Sequence, residues 1–480
     1  MAPVALWPQS QAQIEQAEHG RDLMAAGKFA EAVPIYRQLS QAVPNNPGLL
    51  LNLGMALHLA GHSREAIRPL ENALKLDART LPAWLFLGDA HLGAGEPGKA
   101  VAPLTKYVEL QPDDAGGHQS LGDALLATEH FPEAAAQYRR VAVMDTGSAR
   151  AWYGLNRCYS ALAKALFQRV EKAAPQSAWW LALVADERVI RRQFRSAFFF
   201  YRKAESVQAD LPGLHISIAE VYRESGHAEW ATEESRKETQ PNCSAQALAC
   251  AFAAGRYDEL VHQATQTPEG YYWQSRAYAQ LARDAFTHLE QLPEGSEIHE
   301  LRADLLRIRR QHLEAIKEWR LALTFAPNDI HLREELLASL YQARDYPAAL
   351  ALAVQLLRQQ PASADLNFTK GDILLSSQET ENSIPCFEAA LKLNPRLLAA
   401  HHALGRAYMQ VGKPAEAIPH LVAALPIDDD GSLRYQLSRA YQATGKADLA
   451  AKAVAEYQAR QKADREEKQE LEQELQITAP

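Results

Sequence analysis

The residues of this chain that could do chemistry stand in incomplete motifs. Residues 93–98 match the GxGxxG pattern of dinucleotide sites, but they follow a predicted helix rather than a strand, so the motif lacks its required context. His58 and His62 have the spacing of two metal ligands on one helix face, but Gly61 lies between them and no HExxH pattern surrounds them. Residues 299–300, His-Glu, lack a second histidine three residues on. These positions predict no catalytic residue, no metal site and no cofactor.

A group of aromatic residues in the middle of the chain is the feature that suggests an enzyme. Helical periodicity places most of them at positions that pack helices together. We therefore interpret the chain as noncatalytic, with a hydrolase or transferase site in the central segment as an alternative. The group consists of Trp179, Trp180, Phe198, Phe199 and Phe200.

Composition restricts the class of partner. The chain has 480 residues, of which 23% are charged, and a net charge of −9. This charge is spread along the chain, with no basic field that would neutralise phosphates, so nucleic acid is not expected as a partner. No apolar run approaches the roughly 18 residues that would span a bilayer, so no integral membrane segment is predicted.

The elements that position any functional residue follow from a repeat of 34 residues. Self-similarity of this length indicates a solenoid of stacked helix pairs. Clear units begin near residues 13, 47, 81, 115, 296, 330, 364, 398 and 431. One unit shows the pattern at Trp84, Leu87, Gly88, Ala100, Leu104 and Pro112, and the unit before it at Leu50, Leu53, Gly54, Ala66, Leu70 and Ala78.

Each recurring residue type has a mechanical reason. Small residues at positions 8 and 20 of a unit let the two helices of a pair approach closely, and large apolar residues at positions such as 7 and 24 fill the space between neighbouring pairs. A glycine at position 15, such as Gly95, is predicted to end the first helix in the left-handed conformation. A proline at position 32, such as Pro112, is predicted to stop the second helix.

These residues and spacings resemble the tetratricopeptide repeat family over nearly the whole chain, roughly residues 13 to 464. The resemblance implies an all-α fold, a right-handed superhelical solenoid of stacked antiparallel helix pairs that is irregular in the centre. It also implies a noncatalytic scaffold that binds a protein or peptide in a concave groove.

The pattern divides the chain into five parts. Residues 1–12 are an N-terminal extension, and residues 13–148 form regular units. Residues 149–295 form irregular units with longer helices, and residues 296–464 are regular again. Residues 465–480 are predicted to be a charged capping helix or tail.

Two departures from the period match one another and indicate a second-order repeat of about 118 residues. Aligning them places Tyr159 against Tyr278, within stretches that run on without the expected turn. Further on, residues 190–193 and 308–311 both read Ile-Arg-Arg-Gln. We expect the paired arginines to lie in turns between helices, either solvated there or binding an anion.

The resemblance also implies which side chains face the groove, namely those at positions 2, 5, 9, 12 and 13 of each first helix. The groove read in this way is chemically mixed along its length, with arginine and aromatic anchors. Ordinary solvated surface with pairing within helices is the alternative. The predicted groove residues are Arg150, Tyr153, Arg157, Glu300, Asp304, Phe368, Asp372, His402, Arg406 and Arg439.

Co-chaperone members of the family bind a terminal carboxylate through a clamp of lysine, asparagine and arginine residues. The corresponding positions here include Ala17, Arg21, Leu85 and Asp89, although Asn52 fits. The sequence therefore predicts that the chaperone-type carboxylate clamp is absent.

The first residues bear on the location of the protein. Residues 2–7 are apolar and residues 10–12 resemble the end of a secretory signal, but no basic segment precedes them. Residues 1–12 could be the remnant of a signal peptide or a frayed end, so the compartment stays open, with export favoured over the cytoplasm. An accessory subunit of an export, pilus or polysaccharide-secretion assembly is accordingly an alternative function.

Overall fold

The computed structural model describes residues 11–480, with the backbone alone for residues 463–474. This part of the chain contains 26 α-helices, one short 3₁₀ turn and no strand, so the predicted all-α class is confirmed. It divides into two compact units. The first consists of the described residues up to Lys172 with Cys250–Pro293, and the second of Ala173–Ala249 with Glu294–Pro480.

The first unit is a stack of antiparallel helix pairs followed by a long helix, completed by two helices from later in the chain. Most of its helices have 13 to 15 residues. They are α1 (Gln11–Ala25), α2 (Phe29–Ala42), α3 (Pro47–Leu59), α4 (Ser63–Leu76), α5 (Leu81–Gly93), α6 (Pro97–Leu110), α7 (Ala115–Ala127), α8 (Phe131–Met144) and α9 (Ala149–Ala173), with α15 (Tyr257–His262) and α16 (Pro268–Glu290). Helix α14 (Ala247–Ala253) crosses the boundary between the units.

The second unit contains two runs of helix pairs. The first run is α10 (Ala178–Ile190), α11 (Phe194–Val207), α12 (Leu214–Glu224) and α13 (Ala228–Ser235). The second run is α17 (Ser296–Ile308), α18 (His312–Phe325), α19 (Ile330–Gln342), α20 (Tyr346–Gln359), α21 (Ala364–Ser376), α22 (Thr380–Leu393), α23 (Leu398–Gln410), α24 (Pro414–Ala424), α25 (Ser432–Ala443) and α26 (Ala447–Glu474).

In several helix pairs, a glycine of the first helix faces a large side chain of the second helix. A Cβ atom added at Gly88 would overlap the side chain of Leu104, sixteen residues on. The same relation joins Gly122 to Tyr138, and it recurs in both units. Only a residue without a side chain lets the helix axes approach this closely. The further pairs are Gly54 with Leu70, Gly371 with Phe387, and Gly405 with Leu421.

The predicted ends of the first helices are confirmed, and the left-handed residue that ends such a helix is not always glycine. Gly95 has a φ of 76°, and the other glycines predicted at position 15 also have positive φ. In repeats that lack this glycine, Arg192, Arg310 and Arg344 adopt the same conformation, with φ of 56°, 59° and 61°. The turn therefore imposes the left-handed conformation even where the side chain disfavours it.

The two matched departures from the period are long helices of 25 and 23 residues, α9 and α16. They pack antiparallel on one another in the first unit. The Asn156 side chain donates to the carbonyl of Ala282 at 2.8 Å, and the Ser275 hydroxyl donates to that of Ala163 at 2.9 Å. The corresponding long helices of the two copies of the second-order repeat are thus in direct contact.

The Tyr159 and Tyr278 rings, which the alignment of the two copies matches, lie 5.8 Å apart between these helices. Burial raises the pKa of Tyr159 to about 12. Both phenols are therefore neutral at physiological pH, and this contact adds no charge to the core of the first unit.

The last helix does not end at residue 464, where the regular repeats are predicted to stop. Helix α26 runs through residue 464 without a break, and after it Leu475 and Ile477 are half-buried. The Tyr222 hydroxyl donates to the carbonyl oxygen of Thr478 at 2.7 Å. The predicted signal remnant, residues 1–12, lies outside the described residues except for its last two positions, which begin α1. None of the described helices combines the length and apolarity needed to cross a membrane.

Replacing Gly88 with alanine tests the close approach within a pair. Overpacking against Leu104 is expected to lower the free energy of unfolding by about 1–3 kcal/mol. Gly98→Ala is the matched control, because the nearest atom to its added Cβ, on Thr128, is 4.0 Å away. The control should leave stability unchanged or slightly raised. Urea unfolding followed by far-UV circular dichroism measures both, and equal midpoints for the two variants would contradict the packing argument.

Candidate functional site

All ten predicted groove residues lie on the first helices of their pairs or on α9. Those of the first unit share one helix, and those of the second unit are spread over four. Residues at positions 2, 5, 9 and 12 of neighbouring first helices form a strip of side chains. We call the strip of α5, α7 and α9 the first strip, and the strip of α17, α19, α21, α23 and α25 the second strip.

The first strip has an aromatic ring held between two guanidinium groups. The Arg150 and Arg157 guanidiniums lie 5.6 and 5.9 Å from the centre of the Tyr153 ring. The ring is 7% exposed. It is therefore covered by its own neighbours rather than open to a partner, and the two arginines form the accessible part of this predicted anchor.

Asp123 on α7 connects this group to the core of the helix pair. Its carboxylate accepts hydrogen bonds from the Tyr138 hydroxyl at 2.7 Å and from the Arg150 guanidinium at 3.3 Å. Sequence reasoning did not select Asp123 for the groove, although it stands at position 9 of its unit like Arg157.

Asp89 on α5 occupies the next position along the first strip. Burial raises the pKa of its carboxyl group, and the hydrogen bond with Ser120 and the nearby His58 compensate only in part. A carboxylate held away from water without a full counter-charge favours the approach of a cationic group. The first strip thus presents Asp89 at one end and Arg157 at the other.

The second strip begins with acidic residues on α17. Glu300 is 8% exposed and lies 3.5 Å from the imidazole of His331, whose pKa this hydrogen bond raises. Asp304 pairs with Arg307 at 2.9 Å, and the same guanidinium lies 3.6 Å from Glu335 on α19. The contacts of Glu300 with His331 and of Arg307 with Glu335 join α17 to α19.

The middle of the second strip combines a carboxylate with aromatic rings. The Tyr341 hydroxyl donates a short hydrogen bond to the Asp372 carboxylate on α21. Phe368, one turn before Asp372, is half-buried, with its ring 6.1 Å from that of Phe387. Part of the Phe368 side chain is therefore available for an apolar contact.

The second strip ends with basic residues. The Nε2 atom of His402 on α23 is buried without a hydrogen-bond partner among the described residues. Burial and the neighbouring Arg406 lower the pKa of this imidazole, so it is neutral near pH 7. Arg406 is half-buried, and Arg439 on α25 is exposed. By residue type, the second strip therefore runs from Glu300 and Asp304 on α17, through Asp372 on α21, to Arg406 on α23 and Arg439 on α25. Asp428 and Asp430 lie close enough to act on His402 at the same end.

One cluster outside the strips has the composition of a metal site. Ligand atoms of Glu205, His215 and Glu234 lie within 4.8 Å of one another. The buried Glu234 carboxylate already lies 3.1 Å from both Arg202 and Lys237. A divalent cation would have to displace these two cations, so the cluster is best explained as an ion-pair network.

Family models match this chain in two regions, one near each end of the repeats. The family model of the tetratricopeptide repeat matches residues 23–68, 60–115, 120–178, 338–397 and 368–432. Together these matches cover just over half of the chain, and they include the first strip and helices α21 and α23 of the second.

Two curated proteins match over short stretches. The chain is 29% identical over 115 residues to Superkiller complex protein 3 of Homo sapiens, which covers 24% of this chain and 7% of that protein. It is 29% identical over 121 residues to the Hsp70-Hsp90 organizing protein of Triticum aestivum, which covers 25% of this chain and 21% of that protein. The chain thus spans about a fifth or less of the length of these relatives.

Solved structures match with low identity. A tetratricopeptide repeat protein from Parabacteroides merdae covers 69% of this chain and all of its own, at 13% identity and a TM-score of 0.35. The APC/C hetero-tetramer Cut9-Hcn1 matches over 94% of both chains, at 14% identity and a TM-score of 0.33.

Replacing Asp89 with asparagine tests the uncompensated carboxylate of the first strip. Because its folded pKa is raised, the protonated form stabilises the fold, and this contribution is lost as pH rises through that pKa. Asp89→Asn should therefore raise the thermal midpoint near pH 7 and leave it nearly unchanged near pH 3.

Asp123→Asn is the contrasting variant for this measurement. It weakens two hydrogen bonds to a charged carboxylate, each typically worth about 1.5–3 kcal/mol, and should lower the midpoint. A fall in the midpoint of Asp89→Asn at neutral pH would show that Asp89 is compensated and would remove it from the candidate site.

Proposed function

The chain belongs to the tetratricopeptide repeat family, whose repeats serve as protein-interaction scaffolds, and we propose that it binds an extended or helical segment of a partner protein along its two strips. The proposal is for a noncatalytic role. Its binding surface consists of the first-helix residues described above, and its ligand is a peptide segment rather than a nucleic acid or a membrane.

The order of charge along the second strip is the observation that carries the proposal. Glu300 and Asp304 stand at the acidic end, and Arg406 and Arg439 stand at the basic end. A segment with basic residues at one end and acidic residues at the other would bind in one direction only, because the reversed orientation places like charges together. An apolar residue between the two ends would contact Phe368.

The first strip supports a second contact of the same kind. Its Arg150–Tyr153–Arg157 group suits an acidic or aromatic side chain of the partner, and Asp89 suits a basic one. Each strip is complete within its own unit, so each can be tested separately.

The chain is similar over 121 residues to the Hsp70-Hsp90 organizing protein, but the chaperone-type carboxylate clamp is predicted to be absent. The positions that correspond to the carboxylate clamp include Ala17, Leu85 and Asp89, and an aspartate repels a carboxylate ligand. We therefore propose an internal peptide segment as the ligand. The alternative function in an export assembly depends on residues 1–12 and stays a prediction.

A photo-crosslinking amino acid at Ala338 tests the second strip in native cells. Ala338 is exposed at position 9 of its unit, between Asp304 and Asp372 in the order of repeats. The same amino acid at Leu321, which is 43% exposed on the second helix α18, is the control. We expect a discrete protein adduct from position 338 and none of the same mass from position 321.

Arg406→Ala should reduce this adduct, because a buried arginine anchor is worth on the order of 2 kcal/mol, which is about 30-fold in affinity. The matched substitution Arg320→Ala changes an exposed arginine of α18 and should have no effect. Equal adducts at positions 338 and 321, or an adduct at 338 that Arg406→Ala leaves unchanged, would reject the second strip as the binding surface.

A further inference from the structure

The two Ile-Arg-Arg-Gln sequences form turns of the same conformation in the second unit. Each joins the first helix of a pair to the second, α10 to α11 and α17 to α18. The second arginine of each turn, Arg192 and Arg310, has a left-handed φ. These turns lie at the ends of helices and use none of the residues of the second strip.

The fold brings the two turns together although the residues that bond, Ile190 and Arg309, are 119 positions apart in sequence. The Nε atom of Arg309 donates to the carbonyl oxygen of Ile190 at 3.3 Å. This bond places the guanidinium of one turn against the backbone of the other, so basic residues from both turns collect in one place.

A cavity of about 420 Å³ opens beside these turns. None of the residues that line it is acidic. Glu187 pairs with Arg191 at 2.6 Å, and Asp304 pairs with Arg307 at 2.9 Å, which positions these two guanidiniums. Arg310 is exposed and has no ion-pair partner among the described residues. The lining consists of Arg191, Arg307, Ile308, Arg310, His312 and Gln342.

The ionisable groups around the cavity indicate that its positive charge is not fully neutralised. Burial, Arg310 and Arg307 all lower the pKa of His312, and no acidic group opposes them. Burial and the neighbouring Arg192 lower the pKa of Arg309, and Glu224 opposes them in part. The Nδ1 atom of His312 is also buried without a hydrogen-bond partner among the described residues.

We propose that this cavity is a binding site for a phosphate group, held by Arg191, Arg307 and Arg310 with His312 as an additional hydrogen-bonding group. Guanidinium groups bind phosphate through paired hydrogen bonds, and three of them match the several acceptor oxygens of a tetrahedral anion better than the two oxygens of a carboxylate. Helix α18 begins at His312, so its N-terminal dipole adds to the attraction. The site uses no groove residue itself, although its Arg307 pairs with Asp304 of the second strip.

The phosphate could be inorganic phosphate or the phosphorylated side chain of a partner, and isothermal titration calorimetry of the full chain distinguishes the two. Inorganic phosphate, N-acetyl-phosphoserine amide and N-acetyl-serine amide are titrated at constant ionic strength. We expect the two phosphate-bearing probes to bind and the unphosphorylated amide to give no heat of binding. Tighter binding of the phosphoserine probe would identify a phosphorylated partner as the source, and tighter binding of inorganic phosphate would identify the free ion.

Arg310→Gln should weaken binding of either phosphate probe by at least about tenfold, the loss of one charged hydrogen bond of about 1.5 kcal/mol or more. Arg344→Gln is the matched control, because Arg344 is exposed and left-handed at the same position of the next repeat and does not line the cavity. Its affinity should stay within about twofold of that of the unaltered chain. Thermal midpoints verify that both variants are folded.

Two outcomes would overturn the proposal. One is the absence of binding by both phosphate probes up to about 10 mM, a concentration at which even a weak specific site would be largely occupied. The other is an equal loss of affinity in Arg310→Gln and Arg344→Gln, which would assign the binding to the general surface charge.

Discussion

The close approach of the two helices within each pair is the constraint on which the rest of the structure depends. Where Gly88 faces Leu104, a side chain at the first position would push the helices apart. This spacing brings the first helices of successive pairs side by side and aligns their positions 5 and 9. The order of charge along the second strip therefore depends on how the helices pack as well as on which residues are charged.

Departures from the regular repeat create the features that distinguish this chain. Helices α9 and α16 continue where a pair would turn, and they pack on one another with Tyr159 facing Tyr278. In the second unit, the matched arginine turns also meet, at Arg309 and Ile190. In both places the two copies of the second-order repeat contact each other through corresponding positions. Internal duplication has thus supplied an interface in one unit and a basic cavity in the other.

The helix pairs could be predicted from sequence because their determinants are local. Gly95 and Pro112 each act within one unit, and a period of 34 residues repeats the signal many times. The meeting of Arg309 with Ile190 could not be predicted, because no local rule connects residues 119 positions apart. Tyr153 shows a second limit. Its position in the unit predicts the correct face, but whether the ring is open depends on the rotamers of Arg150 and Arg157.

The assembly of each unit from two separated stretches of chain affects biosynthesis. Residues 173–249 belong with residues 294–480, so helices α10 to α13 leave the ribosome before the helices that complete their unit. At about 5–20 residues per second, they wait roughly 10–50 seconds for residue 480. During that interval their apolar faces lack the neighbours that cover them in the finished unit. Folding strictly in chain order therefore cannot complete this unit until its second stretch has been synthesised.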